Sequence, residues 1–108
     1  MKANLTRNKV SPKSHKKIIA FIHAKKLESH DVESLEHYLE NRKDLHYLYL
    51  IATESISKKI IAVCNRYNHI KLIHSTDPKA QIVDIKNQYG VDVKFEERDF
   101  EELKKRSL

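Results

Sequence analysis

The sequence has only one glycine, Gly90, and only one cysteine, Cys64. Glycine-rich phosphate loops, of the dinucleotide or the P-loop type, need several positions where the backbone approaches phosphate closely. A single cysteine allows neither a disulfide framework nor a cysteine-based zinc site within one chain. These absences argue against nucleotide-binding enzymes of those two types. They also predict an intracellular protein, in the cytoplasm, the nucleoid or the nucleus.

Long apolar runs are absent as well. The longest, Ile18–Ile22, is far shorter than the roughly 18 residues that a membrane span needs, and it is typical of a buried strand instead. The N-terminus lacks the apolar stretch and the small-residue cleavage site of a secretory signal. We therefore expect no membrane partner, and a length of 108 residues predicts a single domain with one core.

Acidic residues are missing from the first quarter of the chain. Residues 1–27 contain eight basic residues and no acidic one, and the first carboxylate is Glu28. The remainder has 13 basic and 15 acidic residues, so its formal charge is −2 although the whole chain carries +6. A concentrated cationic segment attracts polyanions through counterion release, and nucleic acid is the commonest such partner. A solvated basic terminus without a partner is the alternative.

The residues predicted to contact phosphates are mostly lysines, namely Arg7, Lys9, Lys13, Lys16, Lys17, Lys25 and Lys26. Arginine provides the bidentate guanine contacts that are typical of direct base readout, and it is scarce in this segment. We therefore expect little base selectivity, with DNA rather than RNA as the expected ligand.

Two regions follow from the pattern of apolar residues. Residues 1–16 are interpreted as a basic, partly flexible arm, because Leu5 and Val10 are their only sizeable apolar groups. Residues 17–108 are interpreted as one α/β domain. Continuous or alternating apolar segments predict four strands, at Ile18–Ile22, Tyr47–Ala52, His69–Ile73 and, as an edge strand, Val91–Phe95.

Helices are predicted between these strands from apolar residues at 3.6-residue spacing. Asp31 is expected to cap the first, and either Ser55 or Ser57 starts the second. Asp77, followed by proline, begins the third, which is expected to end at Gly90 in a left-handed cap. With a charged terminal helix, the order is β-α-β-α-β-α-β-α. This order predicts a small three-layer α/β domain with a mostly parallel four-stranded sheet and right-handed crossovers.

Metal-binding and nucleophilic residues show no recognised pattern. The seven histidines include no i, i+4 pair that would present two imidazoles on one helical turn. Cys64 lies on the apolar face of its predicted helix, where a thiol is usually a packing group. We expect no dedicated metal site and no cofactor.

Several short segments of the domain match one known pattern, and they are Ile18–Lys26, Asp31–Leu35, Leu48–Lys59, Ile70–Ile73, Tyr89–Val93 and Asp99–Glu102. Together they resemble the catalytic domain of the Mrr-type restriction endonucleases, a branch of the superfamily with a Pro-Asp…(Asp/Glu)-x-Lys site. The resemblance covers residues 17–102 and implies a restriction-endonuclease-like fold, truncated at the N-terminus. The N-terminal domain of a small shared subunit of eukaryotic RNA polymerases has a related pattern without nuclease activity.

The resemblance also implies a nuclease active site, from which this sequence departs at several positions. In the family, carboxylates hold Mg²⁺, which activates water, and a lysine supports the developing charge. Lys25 matches that lysine, and His23 stands where the family has Gln or Glu. The metal-binding aspartate has no counterpart, because residues 1–22 contain no acidic residue. Glu36, or its neighbour Glu33, is the candidate for a relocated carboxylate; both are otherwise solvent-facing charges on an amphipathic helix.

Three functions follow from these observations. The leading one is nucleic-acid binding on a catalytically degenerate scaffold, which favours a non-enzymatic protein. The second is a metal-dependent DNA endonuclease with relocated carboxylates, for which Mg²⁺ would be the cofactor. The third is a protein-interaction module that docks onto a larger nucleic-acid-processing complex. A homodimer is also expected, because a shortened sheet leaves edges to pair and the alternating Tyr47 and Tyr49 predict a partly exposed tyrosine face.

The charge distribution predicts a strong salt dependence of binding. If about four phosphates are neutralised, the logarithm of the DNA association constant should fall against the logarithm of salt concentration with a slope near −3.6. Fluorescence anisotropy with labelled DNA over a salt series measures this slope. An affinity that does not change with salt would contradict the prediction.

Overall fold

The computed structural model describes residues 16–107. This part of the chain contains four strands: β1 (Lys17–Leu27), β2 (Tyr47–Ile56), β3 (Ile70–His74) and β4 (Val93–Asp99). It also contains four α-helices: α1 (Val32–Asn41), α2 (Lys58–Asn65), α3 (Pro78–Lys86) and α4 (Phe100–Ser107). A short 3₁₀ turn, Ser29–Asp31, precedes α1. The predicted order of elements is confirmed.

The four strands form one sheet in the order β3-β2-β1-β4, and every neighbouring pair is parallel. The chain steps in one direction from β1 to β3 and then returns past β2 and β1 to add β4. Because parallel crossovers share one hand, steps in opposite directions place their helices on opposite faces of the sheet. The three-layer α/β architecture is therefore confirmed, with β4 as an edge strand.

The first face of the sheet is covered by α1, α2 and α4. Ala20, Ile22, Leu48 and Leu50 on this face pack with buried side chains of the three helices, which include Leu35, Ile60, Val63, Phe100 and Leu103. Most of the buried apolar side chains of the described residues belong to this cluster. Burial of this apolar surface is the main stabilising term of the domain.

Among residues 16–107, α3 is the only helix that covers the second face. Ile19, Phe21 and Ile51 lie beneath Ile82 and Ile85 of that helix. Residues 19–22 of β1 are fully buried, since their side chains point alternately into the two layers. This confirms that the apolar run at the start of β1 is a strand covered on both faces.

Two of the predicted helix starts are confirmed by side-chain caps. Ser57 Oγ accepts a hydrogen bond from the backbone N–H of Lys59 at 3.1 Å. Asp77 Oδ1 accepts one from Ala80 N at 3.2 Å, with proline at the first helical position. Cys64 is buried on α2, as expected of a packing residue, and burial raises the pKa of its thiol to about 11.

Two local predictions were wrong. Asp31 does not cap α1 through its side chain; its carboxylate accepts from Glu28 N at 2.8 Å and closes the 3₁₀ turn. Helix α3 ends at Lys86, and Gly90 does not have a positive φ. The capping residue Asn87 keeps a right-handed φ of −67° and donates its N–H to Val83 O, so the helix closes without a left-handed residue.

Element boundaries also differ from the predicted ones. Strand β1 continues to Leu27, and β4 runs from Val93 to Asp99 rather than from Val91 to Phe95. Polar residues occupy these extensions, so apolar periodicity did not indicate them. The predicted arm lies outside the described residues except for Lys16. No helix among residues 16–107 has both the length and the apolar composition to cross a membrane.

An ion-pair network fastens the end of α1 to the edge strand β4. The Arg42 guanidinium donates to both carboxylate oxygens of Glu96, at 2.7 and 3.1 Å, and to both of Asp44, at 3.0 and 3.1 Å. Arg42 and Glu96 side chains are 21% and 15% exposed. The hydrogen bonds from Arg42 hold the pKa of Glu96 and that of Asp44 below their ordinary values.

We expect Glu96→Gln to lower the free energy of unfolding at neutral pH by about 2 kcal/mol, because a charge-assisted bidentate contact is lost. A depressed folded-state pKa gives stability that is present above the unfolded-state pKa and is lost as pH falls through the folded one. Urea unfolding curves at several pH values should therefore show that the free energy of unfolding falls less with decreasing pH in the variant than in the parent.

The matched control is Glu97→Gln on the same strand. Glu97 pairs with Lys86 at 2.6 Å, but its side chain is 48% exposed, and exposed pairs contribute little. Equal losses in the two variants would contradict a special role for the Arg42 network.

Candidate functional site

A cleft of about 510 Å³ opens at the carboxyl edge of the sheet, where the parallel strands end. Strands β1, β2 and β4 contribute to it, together with the first residues of α3 and α4. Its lining residues are His23, Ala24, Lys25, Thr53, Pro78, Asp99 and Glu101. The strand order reverses between β1 and β4, and ligands of open parallel sheets commonly bind outside the carboxyl strand ends at such a position.

The two titratable strand residues of the cleft are neighbours across β1 and β4. The sheet register pairs His23 with Asp99, and His23 Nδ1 lies 3.9 Å from Asp99 Oδ2. The other oxygen, Asp99 Oδ1, accepts a hydrogen bond from Glu101 N at 2.8 Å. The Asp99 carboxylate therefore already accepts a backbone hydrogen bond at the start of α4.

The structure brings together two of the three predicted catalytic residues. His23 and Lys25 both line the cleft. Glu36 does not line it; its carboxylate accepts a hydrogen bond from Arg66 Nη2 at 2.7 Å and joins α1 to α2. Glu33 is exposed on α1 and is also outside the lining.

Sequence reasoning missed Asp99 and Glu101 as residues of this cleft. They are far from Lys25 along the chain, and only the pairing of β4 with β1 brings them near. The available signal was that Asp99 and Glu101 follow the last predicted strand, Val91–Phe95, since residues after the carboxyl ends of parallel strands meet at one edge of a sheet. The family pattern places its metal-binding aspartate before the lysine, so the resemblance did not indicate carboxylates from β4.

The cleft residues do not fit a magnesium ion. Mg²⁺ demands near-octahedral coordination by oxygen. Among residues 16–107, no group of three or more His, Cys, Asp or Glu side chains is arranged to hold a metal. The cleft offers the carboxylates of Asp99 and Glu101, and that of Asp99 is engaged by a backbone N–H and lies beside His23.

The predicted phosphate contacts do not form one patch in the described structure. Lys16 and Lys17 lie at the amino end of β1, whereas Lys25 and Lys26 lie at its carboxyl end. Eight residues of strand separate Lys17 from Lys25, which corresponds to about 26 Å. The other three predicted contacts, Arg7, Lys9 and Lys13, lie outside the described residues.

A cluster of lysines and tyrosines lies near the amino edge on the second face, and we call it the amino-edge patch: Lys17, Tyr47, Lys71 and Tyr89. Lys71 Nζ is 5.5 Å from the centroid of the Tyr47 ring, and the rings of Tyr47 and Tyr89 are 6.5 Å apart. Lys17 and Lys71 are exposed, and the two tyrosines are half-buried. The patch thus combines mobile positive charge with partly accessible aromatic surface.

The aromatic part of the patch is held rigidly from below. Tyr49 Oη and Tyr89 Oη form a hydrogen bond of 2.7 Å, and the Tyr49 ring stacks on Phe21 at 5.3 Å. Burial and the Tyr49 hydroxyl raise the pKa of Tyr89, while the charge of Lys17 opposes them. Tyr47 and Tyr49 are both half-buried, so the predicted tyrosine face is only partly accessible beside α3.

Comparison of the chain with protein-family models, with curated proteins and with solved structures finds no match. The resemblance to the Mrr-type endonucleases therefore stays a prediction.

Because the cleft lacks a ligand set for Mg²⁺, we expect millimolar MgCl₂ to leave the thermal unfolding midpoint unchanged relative to NaCl of equal ionic strength. An ion that binds only the folded state would stabilise it by RT ln(1 + c/Kd), where c is the free ion concentration, and would raise the midpoint accordingly. Differential scanning fluorimetry measures the shift. A rise that Asp99→Asn abolishes would contradict the expectation and reinstate a metal site.

Proposed function

We propose that the protein binds nucleic acid through its basic N-terminal segment and the amino-edge patch, without cleaving it. The observation that carries the proposal is the placement of Tyr47 and Tyr89 between two exposed lysines, Lys17 and Lys71, at the edge where residues 1–16 join the domain. Charge and stacking surface thus occur together at one end of the sheet.

The chemistry of this patch suits a single strand of nucleic acid. Proteins that bind single strands without strong sequence preference combine a positive surface along the backbone with aromatic rings on which bases stack. Lys16, Lys17 and Lys71 supply the positive charge, and Tyr47 supplies the ring. Lysine contacts phosphate as a point charge, so little base selectivity is expected. DNA remains the expected form.

Arg7, Lys9 and Lys13 are assigned to the same proposed interface, because they precede Lys16 in the chain. They are the counterions that would follow the backbone of a longer ligand. Lys25 and Lys26 do not belong to it, since they lie at the opposite end of β1, where Lys25 shares its cleft with Asp99 and Glu101.

Binding is favoured over the endonuclease hypothesis by the same geometry. Lys25 and His23 share a cleft, but the described residues provide no three-ligand group for a metal. A hydrolytic metal centre requires such ligands to activate water and to stabilise the phosphate. Purified protein incubated with supercoiled plasmid and Mg²⁺ or Mn²⁺ should therefore leave the plasmid intact.

The double variant Lys16→Gln with Lys17→Gln, which replaces two positive side chains by neutral ones, tests the interface. Removing two phosphate contacts should weaken binding of a labelled oligothymidine and reduce the magnitude of the salt slope by about 1.4. Fluorescence anisotropy over a salt series gives both quantities.

Tyr47→Ala should weaken binding of the same oligothymidine about tenfold with an unchanged salt slope, because stacking contributes about 1–3 kcal/mol per base.

The matched control removes the same two charges from the other end of the same strand, Lys25→Gln with Lys26→Gln. This variant should keep the parent affinity and slope. If the control loses as much affinity as the Lys16 and Lys17 variant, the amino-edge interface is wrong. If the parent protein binds no nucleic acid at low salt but retains a specific protein partner after nuclease treatment, the docking-module hypothesis replaces the proposal.

A further inference from the structure

A second cavity, of about 250 Å³, lies on the first face between α1, β4 and α4. It is separate from the carboxyl-edge cleft and from the amino-edge patch, and it shares no lining residue with either. Its walls carry hydroxyl, amide, imidazole and guanidinium groups beside one leucine. The lining residues are Ser34, His37, Tyr38, Asn41, Arg42, Arg98 and Leu103.

The two arginines of this cavity, Arg42 and Arg98, differ in how many of their N–H groups are already hydrogen-bonded. A guanidinium carries five N–H groups, and those of Arg42 are directed at Glu96, Asp44 and the Tyr38 hydroxyl. Arg42 therefore has no donor to spare. Its contacts also neutralise Glu96, the carboxylate of β4 that shares the first face with Arg98.

Arg98 is the available cation. It is half-buried on β4, and within residues 16–107 it has neither a hydrogen bond nor an ion pair. Together with the larger effect of Arg42, the charge of Arg98 lowers the pKa of Glu96. The Arg98 guanidinium nevertheless forms no direct ion pair, and partial desolvation of such a cation is costly. A guanidinium whose N–H groups face a cavity also has the planar geometry that binds a carboxylate or a phosphate through two parallel hydrogen bonds.

Further donors converge on the same space. Tyr38 Oη accepts a hydrogen bond from Arg42 Nη1 at 3.5 Å, so its own O–H is left to donate. Burial raises the pKa of Tyr38, so the phenol stays protonated at neutral pH although Arg42 acts against the rise. Ser34 offers a hydroxyl from α1. Asn41 is fixed, since its Nδ2 donates to His37 O at 2.8 Å.

We propose that this cavity binds a small oxyanion, a carboxylate or phosphate group of a small molecule, on the Arg98 guanidinium and the hydroxyls of Ser34 and Tyr38. The size of the cavity admits a small ligand only, since pockets for larger organic molecules usually exceed about 300 Å³. The Leu103 side chain provides an apolar wall for the rest of the molecule. The site is independent of the proposed nucleic-acid interface.

Titration of the isotopically labelled protein with inorganic phosphate, and separately with butyrate, followed by nuclear magnetic resonance, tests the proposal. At equal ionic strength adjusted with NaCl, one or both anions should cause saturable shifts at Ser34, His37 and Arg98. Saturation by phosphate alone or by butyrate alone identifies the preferred oxyanion. Absence of saturable shifts with both anions overturns the site.

Arg98→Gln should weaken anion binding at least about tenfold, because the charge-assisted contact is removed. The fold should be retained, since within residues 16–107 Arg98 has no hydrogen bond and no direct ion pair to lose, only its longer-range attraction to Glu96. Arg66→Gln is the matched control: it removes the same charge from the same side of the sheet, where Arg66 pairs with Glu36 at 2.7 Å, and should leave anion affinity unchanged. Equal effects of the two substitutions would show non-specific attraction and overturn the proposal.

A short oligothymidine distinguishes this site from the nucleic-acid interface. It should shift residues of the amino-edge patch and should not compete with phosphate at Arg98. Competition would make the cavity part of the nucleic-acid surface and contradict a separate site. Loss of oligothymidine binding in Lys16→Gln with Lys17→Gln, with phosphate binding intact, is the expected combination.

Discussion

The structure depends on the burial of one strand, β1, between two parallel neighbours and two layers of helices. Ile19, Ala20, Phe21 and Ile22 are fully inaccessible to solvent, and both edges of the strand are paired, with β2 and with β4. Because β1 is central, the chain must leave it in one direction and return on the other side. That return decides which helix covers which face, which strand forms the edge, and which side chains meet at either end of the sheet.

The two faces that result are unequal, and the difference determines which side chains remain partly accessible. Three helices bury the first face, and the Arg42 network closes the seam between α1 and the edge strand. Within the described part of the chain one helix covers the second face, and aromatic side chains pack beside it. Tyr49, Tyr89 and Phe21 hold one another in place, and Tyr47 is left at the margin beside Lys71.

The lysines of β1 are divided between the two ends of the sheet. At the carboxyl edge, Lys25 and His23 meet Asp99 and Glu101 in a cleft without a ligand set for a metal. At the amino edge, Lys16 and Lys17 continue the basic N-terminal segment. The opposite placement of these lysines along one strand explains why a sequence-contiguous cationic segment does not make a contiguous cationic surface.

The sequence by itself determined the alternation of strands and helices, the buried character of β1 and the cap at Asp77, because these depend on local periodicity and on hydrogen bonds between near neighbours. It left Ser55 and Ser57 as alternative caps of α2, and the structure shows Ser57. It did not determine the end of α3, since Asn87 closes that helix where Gly90 was expected to. Only the tertiary structure decided that β4 lies against β1, which brings Asp99 to His23 and leaves Arg98 facing a cavity. Strand order is set by packing between distant segments, and no local pattern of residues encodes such a contact.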